Sequence, residues 1–151
     1  MTKATLGSWA TTVFPKLQAS DYEVTSAKTD TYNCIGWAAG VLEWWEPDQY
    51  DTYYWPPKVK REYTVRAYID ALRSVGYQPC GNDRYEDGHE KIALYADEDG
   101  SPTHAARQLQ SGQWTSKLGP DEDIEHLTLE CLTGGDYGQP VFYLIRKLST
   151  P

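Results

Sequence analysis

Cysteine is scarce in this chain of 151 residues: the only three are Cys34, Cys80 and Cys131, and no two form a C-x-x-C pair. An odd number of cysteines without paired spacing predicts no disulfide framework and favours a reducing compartment. The first residues contain no continuous apolar stretch, so no secretory signal peptide is predicted. We therefore expect a cytoplasmic protein, with export by a route that needs no signal peptide left open.

Long hydrophobic runs and an excess of positive charge are also missing. No window approaches the roughly 18 apolar residues that would span a membrane. With 14 basic and 22 acidic residues, the formal net charge is −8, which disfavours nucleic acid and anionic membranes as partners. Glycine-rich phosphate loops and the G-x-S-x-G and H-E-x-x-H patterns are absent, and the His and Cys residues lack metal-ligand spacing. The sequence therefore predicts no cofactor and no metal.

Aromatic side chains, in contrast, are abundant, with six Trp and twelve Tyr against two Phe. Such large rings predict a compact core whose polar tips reach the surface. The chain length suits a single domain, with residues 1–29 as an N-terminal arm and residues 30–147 as the core. Within the core, the aromatic and proline-rich loop at residues 46–61 contains Tyr53, Tyr54 and Trp55. These three side chains either wall a substrate-binding cleft or pack as part of a surface loop.

The predicted elements place helices first and an antiparallel sheet later. One helix is capped at residue 30 or 31 and runs to about residue 45; it is apolar nearly all round and therefore central and buried. An amphipathic helix follows at residues 62–75. Strands are predicted at 91–96, 103–110, 113–118 and 137–147, with one more helix at residues 121–132. This order predicts an α+β single domain.

Cys34 lies in the first turn of the first of these helices. The positive end of the helix dipole favours the thiolate, which is the nucleophilic form, so a cysteine hydrolase would place its attacking sulfur here. The backbone N–H of Cys34, together with Asn33, would then stabilise the oxyanion. A lone cysteine in an apolar helix is equally typical of a small core residue. Both interpretations stay open.

His104 is the candidate general base for such a thiol. It begins a predicted strand, next to small alanine residues that leave room around the ring. If residues 110–112 form a three-residue hairpin loop with Gly112 in the left-handed conformation, Ser116 lies diagonally near His104 and could orient the imidazole. A two-residue loop would turn the other face of the second strand toward His104. The orienting group therefore stays open between Ser116 and Asp123, which begins the next predicted helix.

The other histidines and cysteines have ordinary interpretations. His89 lies in a polar loop and is expected to be solvated. His126 follows Glu122 and Asp123 at helical spacing, which predicts an ion pair on a helix surface. Cys131 falls on the apolar face of the same predicted helix and is expected in the core.

Several motifs resemble those of an uncharacterised bacterial domain family, over roughly residues 14–146. They are YNCIGWAAG at 32–40, KIALYA at 91–96, HAARQL at 104–109, WTSKLG at 114–119 and DIEH at 123–126. This resemblance implies no established activity.

The segment around Cys34 also resembles the nucleophile helix of papain-like cysteine hydrolases, including NlpC/P60 amidases. It implies a papain-like fold, with the nucleophile helix packed on an antiparallel sheet. An NlpC/P60 amidase would carry its catalytic His on the KIALYA strand, where this chain has Lys91, and His104 would fall near the third, orienting position. Other papain-like enzymes carry the His one strand later, followed by a hairpin and a polar residue, and His104 with Ser116 fits that arrangement.

Two hypotheses of function follow. In the first, the chain is a papain-like cysteine hydrolase: Cys34 attacks an amide or acyl carbon of a protein or peptide-like substrate, His104 acts as base and then acid, and Ser116 or Asp123 orients the imidazole. A bacterial effector or toxin-type role fits by analogy. In the second, the chain is a non-catalytic protein-binding or immunity-type module, supported by its acidity and by Lys91. The substrate, the partner and the oligomeric state stay open.

Overall fold

The computed structural model describes residues 5–148, which form a β-rich fold around one seven-stranded sheet. The three α-helices are short. Their bounds are α1 Trp9–Val13, α2 Cys34–Ala39 and α3 Val65–Arg73. The strands are β1 Tyr22–Ser26, β2 Gln78–Cys80, β3 His89–Ala96, β4 Pro102–Gln108, β5 Trp114–Lys117, β6 Asp123–His126 and β7 Gln139–Lys147.

The strand order in the sheet is β1-β6-β5-β4-β3-β7-β2, and every neighbouring pair is antiparallel. Strands β3 to β6 are joined in sequence by hairpins, and β7 returns to pair with β3 on its other side. Beyond the end of β4, the Leu109 N–H donates to the Gln113 carbonyl oxygen (2.8 Å), which leaves a three-residue loop at 110–112 with Gly112 at φ 87°, and Gln108 lies opposite Trp114. The predicted three-residue loop and its register are therefore correct.

Both faces of the sheet are covered by other parts of the chain. The central strands β3 and β5 are therefore buried on both faces and show no alternation of buried and exposed residues. One hydrophobic cluster packs under α1 and contains Ala106 of β4. The other packs under α2 and α3 and contains Ala105. Because successive side chains of a strand point to opposite faces, His104 shares the face of Ala106. Cys34 belongs to the helix that covers the opposite face.

The prediction of an α+β papain-like domain with N-terminal helices is wrong, because two of the three predicted helices are shorter or absent. Helix α2 has only six residues and ends where Gly40 adopts a left-handed conformation with φ 90°. Residues 121–132 contain strand β6 and a single 3₁₀ turn at Glu130–Leu132 instead of a helix. Only the amphipathic helix at residues 62–75 is found, as α3.

The first strand, β1, lies at one edge of the sheet and is paired with β6. At the opposite edge, β2 is paired with β7.

Within residues 5–148, each helix falls short of the length and apolar character needed to cross a membrane.

Candidate functional site

Asn33 fixes the start of the helix that carries Cys34. Its side-chain oxygen accepts hydrogen bonds from the backbone N–H of Gly36 (3.1 Å) and of Trp45 (3.1 Å). Its side-chain NH₂ donates to the Trp45 carbonyl oxygen (2.7 Å). The Asn33 amide is therefore engaged in holding the segment around Trp45 against the helix start, whereas it was predicted to face an oxyanion.

Gly36 allows this close approach. A Cβ atom at this position would lie 1.9 Å from the backbone oxygen of Glu43, a contact that no side chain can make. The glycine thus lets residues 40–45 fold back over α2, and this return explains why the helix stops early.

The Cys34 thiol lies at the start of α2 beside strand β4. Although the residue as a whole is half-buried, burial of the sulfur raises its pKa, while the backbone N–H groups of Ala105 and Ile35 and the charge of Lys117 act in the opposite direction. Burial dominates because a desolvated thiolate is costly. The direction of this shift is opposite to the effect expected from the helix dipole and favours the thiol as the resting form.

Lys117, at the end of β5, is the positively charged residue whose charge acts to lower the pKa of Cys34. Its fully buried ammonium group donates to the carbonyl oxygens of Thr29 and Asp121 (both 2.7 Å) and of Gly119, and it lies 5.1 Å from the centre of the Tyr32 ring. Burial lowers the pKa of Lys117, whereas the Asp123 and Asp121 carboxylates raise it. These contacts join the segment between β1 and α2 to the loop between β5 and β6.

His104 is linked to a second buried imidazole through a hydroxyl group. Its Nε2 lies 2.9 Å from Ser116 Oγ, which lies 2.7 Å from Nε2 of His126. The Nδ1 atom of His126 lies 2.8 Å from the carbonyl oxygen of Thr128. All three linked side chains are buried. The prediction that His126 forms an ion pair on a helix surface is wrong, because β6 turns this residue into the core.

The imidazole of His104 is held in a fixed plane. The ring of Tyr137 stacks on it at 4.2 Å and 8°, and the ring of Tyr95 meets it edge-on at 5.4 Å. Burial, reinforced by the charge of His126, lowers the pKa of His104 well below its usual value. Its Nδ1 atom is buried and has no hydrogen-bond partner. At neutral pH the ring is therefore neutral, with one nitrogen unused.

Asp123 lies away from His104, on the α2 side of the sheet. Its Oδ2 accepts hydrogen bonds from Ser26 Oγ (2.7 Å) and from the hydroxyl of Tyr32. Of the two predicted orienting groups, only Ser116 contacts His104. Asp123 instead fixes Tyr32 and, through it, the segment that leads to Cys34.

His104 is a residue of β4, whereas Cys34 belongs to the helix that packs on the opposite face of the sheet. The two side chains are not hydrogen-bonded to each other. The sulfur is close to the backbone N–H of Ala105, the residue that follows His104. The ladder between β4 and β5 stops at Arg107 and Thr115 and does not extend to Ala105. Cys34 therefore lies over the part of the sheet where these two strands are not joined by ladder hydrogen bonds, next to the backbone of the residue that follows His104.

The loop after α2 presents a set of rings that we call the aromatic surface, formed by Trp44, Tyr50, Tyr53, Tyr54 and Tyr63. Tyr50 is 81% exposed and Tyr63 52% exposed, and Trp44 packs on Tyr53 with ring centres 6.0 Å apart. Trp44 and Tyr63 both donate to the Glu46 carboxylate.

Arg61 holds this loop in place by donating to the carbonyl oxygens of Asp48 (2.8 Å) and Tyr53 (2.7 Å). Trp55 differs from its neighbours, because it is 3% exposed and its indole N–H donates to the Lys60 carbonyl oxygen (3.0 Å). It belongs to the core, whereas Tyr53 and Tyr54 remain accessible.

Lys91, where the resemblance to NlpC/P60 amidases implied a catalytic His, has a structural role. Its buried ammonium group pairs with Glu86 (2.7 Å) and donates to the Asn82 side-chain oxygen (2.8 Å). It thereby closes the loop between β2 and β3. Among residues 5–148, no three His, Cys, Asp or Glu side chains are grouped so that they could hold a metal ion.

The pattern of residues did not reveal His126 or Tyr137 as parts of this site. His126 was hidden because the acidic residues before it have helical spacing. The turn sequence GPDE at 119–122 lies between two short segments of similar length, a pattern that is compatible with a hairpin. This pattern could have identified His126 as a residue of a strand. Tyr137 comes from a distant loop, and no local pattern indicates its contact with His104.

No curated protein and no solved structure matches the chain. A family model described as a domain of unknown function (DUF7689) matches residues 23–145, which confirms the resemblance to an uncharacterised domain family. Because the match extends from β1 into β7 and covers most of the 151 residues, the chain belongs to the DUF7689 family.

Proposed function

We propose that the chain is a cysteine-dependent hydrolase that cleaves an amide or acyl bond through Cys34, with His104 as general base. The observation that carries this proposal is the bare Nδ1 atom of His104, which is buried and has no hydrogen-bond partner. The Cys34 sulfur is close to the backbone N–H of Ala105, the next residue along β4. A nucleophilic thiol needs a base whose second nitrogen is held by another group. Ser116 holds that nitrogen. The fold around these residues is β-rich and not papain-like.

The reaction starts from a neutral pair. Burial raises the pKa of the Cys34 thiol and lowers the pKa of His104, so neither group is charged before substrate binds. As the sulfur attacks the acyl carbon, its proton passes to Nδ1 of His104 and then to the departing amine or alcohol. Water hydrolyses the resulting thioester with Nδ1 again as base. This releases the carboxylic acid and restores the thiol.

Substrate binding must bring the sulfur and Nδ1 within hydrogen-bond reach, since in the free protein the two side chains belong to opposite faces of the sheet and are not hydrogen-bonded. The approach would have to occur where β4 and β5 are not paired, beyond Arg107 and Thr115. Contacts of this kind often tighten only in the substrate complex. The first backbone N–H groups of a helix have no partner within that helix, so the Cys34 N–H is the candidate donor to the oxyanion. Tyr53 and Tyr54 lie on the loop that Asn33 ties to this helix start and are the candidate contacts for a peptide-like substrate.

The test is acylation and alkylation of each cysteine, followed by mass spectrometry. With 4-nitrophenyl acetate we expect an acetyl group on Cys34 that later hydrolyses. With iodoacetamide we expect a rate at Cys34 that is nearly constant between pH 6 and 8, because a neutral base assists the thiol. The His104→Gln variant should lower that rate roughly 100-fold, the lower end of the usual effect of a general base.

Cys80 is the matched internal control, because it is half-buried like Cys34 but has no imidazole near it in the sequence or among its described contacts. Because no base assists its thiol, its rate should be the same in the unsubstituted protein and in His104→Gln. The hydrolase proposal fails if Cys34 reacts no faster than Cys80, or if His104→Gln leaves the Cys34 rate unchanged.

The aromatic surface favours a second candidate function, binding of a protein segment that carries Lys or Arg side chains. Exposed tyrosine and tryptophan rings attract cations, and here they surround the Glu46 carboxylate in a chain of net charge −8. Asp51, whose side chain is 83% exposed, also lies on this loop, although its carboxylate is already paired with Arg61 (2.5 Å).

The probe for this binding is a hexa-arginine peptide measured by isothermal titration calorimetry. We expect binding that weakens roughly tenfold in the double variant Tyr50→Ser/Tyr63→Ser, since each lost cation–ring contact removes about 0.5–1 kcal/mol. Tyr85→Ser removes a comparably exposed tyrosine outside the surface and should leave the affinity unchanged. Equal losses in both variants would rule out a specific role for the aromatic surface.

A further inference from the structure

The proton positions along the buried chain of hydrogen bonds follow from its far end. The Thr128 carbonyl oxygen can only accept, and it lies 2.8 Å from Nδ1 of His126. An unprotonated nitrogen at that distance would place two lone pairs against each other. Nδ1 of His126 therefore carries the proton. The same ring is neutral at pH 7, because burial lowers its pKa to about 4.

The remaining links have one consistent direction. With Nδ1 protonated, Nε2 of His126 must accept, so the Ser116 hydroxyl donates to it across 2.7 Å. The Ser116 oxygen then accepts from Nε2–H of His104 across 2.9 Å. The proton of neutral His104 is thereby held on Nε2, and its Nδ1 is left with a free lone pair.

The neighbouring thiol does not change this direction. Cys131 Sγ lies 3.2 Å from the Thr128 carbonyl oxygen, to which it donates, and 3.7 Å from Nδ1 of His126. A donor already directed at Thr128 does not supply a proton to Nδ1.

We propose that His126 is a positioning residue that sets the tautomer of His104 through Ser116, so that Nδ1 of His104 is unprotonated and able to accept a proton. The use of that lone pair in catalysis rests on the proposed hydrolase function, whereas the tautomer itself does not. The unpartnered state of Nδ1 supports a role for it. A buried acceptor without a partner is unfavourable and is retained where another group completes it.

The tautomers are measured directly by ¹⁵N NMR of the full chain with labelled histidine at neutral pH. We expect a pyridine-type signal for Nδ1 and a pyrrole-type signal for Nε2 of His104, with the reverse assignment for His126. This measurement needs no variant and therefore does not depend on how a substitution folds. A protonated Nδ1 on His104, in either the neutral or the charged ring, would overturn the inference.

Two variants then separate positioning from packing. His126→Gln offers an oxygen to Ser116 and an N–H to Thr128, so His104 should keep its proton on Nε2. His126→Leu removes the acceptor, the Ser116 hydroxyl becomes free to donate to His104, and the Nδ1–H form should become populated. If His104 keeps the same tautomer in His126→Leu, His126 does not set it.

The reactivity of Cys34 provides the second measurement. His126→Leu should lower the His104-dependent acylation of Cys34 roughly tenfold, and His126→Gln should restore most of it. Each of the two proposals can be contradicted without the other. Slow acylation in the unsubstituted protein with the expected NMR tautomers would contradict the hydrolase alone, whereas fast acylation with Nδ1 of His104 protonated would contradict the role of His126.

Discussion

Replacing Glu90 by alanine is expected to lower the free energy of unfolding by about 3–5 kcal/mol, as does removal of one member of other buried charge clusters. The Glu90 carboxylate is buried and pairs with Arg107 (3.2 Å) and with Nε of Arg146 (3.0 Å), and it accepts a hydrogen bond from the Tyr77 hydroxyl (3.0 Å). Without it, two guanidinium groups that are only about one-quarter exposed lose their counterion.

The same cluster fixes the end of α2. Arg107 donates to the Trp37 carbonyl oxygen (3.2 Å), and the Tyr77 hydroxyl, whose hydrogen is donated to Glu90, lies 3.2 Å from the Ala38 carbonyl oxygen. Cations and donors at a helix C-terminus satisfy carbonyl groups that have no partner within the helix. We therefore expect Glu90→Ala also to loosen the helix that begins with Cys34.

Urea unfolding followed by tryptophan fluorescence measures this effect, with two comparisons. Glu90→Gln keeps one acceptor oxygen and should be less destabilising than Glu90→Ala. Asp70→Ala removes the exposed partner of Arg66 on α3 and should change stability by less than about 1 kcal/mol. A loss below about 1 kcal/mol for Glu90→Ala would mean that water replaces the carboxylate and that the cluster does not clamp α2.

The hairpin between β4 and β5 could be predicted from the sequence because its information is local. Ser111 and Gly112 indicate a turn, and the left-handed conformation of Gly112 fixes a three-residue loop. The period of two along each strand then places Ser116 beside His104, as the structure has it. The start of the Cys34 helix was predicted three residues too early, with the cap at residue 30 or 31, whereas the structure begins the helix at Cys34 with the Asn33 side chain as its cap.

Long-range contacts explain the failures. The apolar residues after Gly40 look like a continued helix, but the segment folds back, and Trp45 pairs with Tyr54. Asp123–His126 has the acidic start of a helix, yet it forms a strand because β5 and β1 offer ladder partners on both sides. Tertiary pairing overrides local preference in such short segments. The desolvation of Cys34 likewise depends on packing that no local pattern encodes.

Acidification is expected to destabilise the fold through its two buried imidazoles, beginning near pH 6.5. Burial lowers the pKa of His126 to about 4 and that of His104 well below its usual value. Between pH 6.5 and about pH 4 the unfolded chain binds protons that the folded protein does not. The stability present above pH 6.5 is therefore lost as the pH falls. For His126 alone the loss approaches about 3 kcal/mol, and His104 adds to it in the same direction.

The His126→Gln variant isolates this contribution, because glutamine can keep both hydrogen bonds but does not titrate. We expect it to be somewhat less stable than the unsubstituted protein at pH 7 and to lose less stability on acidification, so that the two curves of unfolding free energy against pH converge toward pH 4. Carboxylates that titrate in the same range, such as Glu86 with its lowered pKa, affect both proteins equally and cancel in the difference. Parallel curves would mean that His126 accepts a proton in the folded protein near its ordinary pKa. Its Nε2 would then carry a hydrogen, the Ser116 hydroxyl could no longer donate to it, and the chain of hydrogen bonds that holds the His104 proton on Nε2 would reverse.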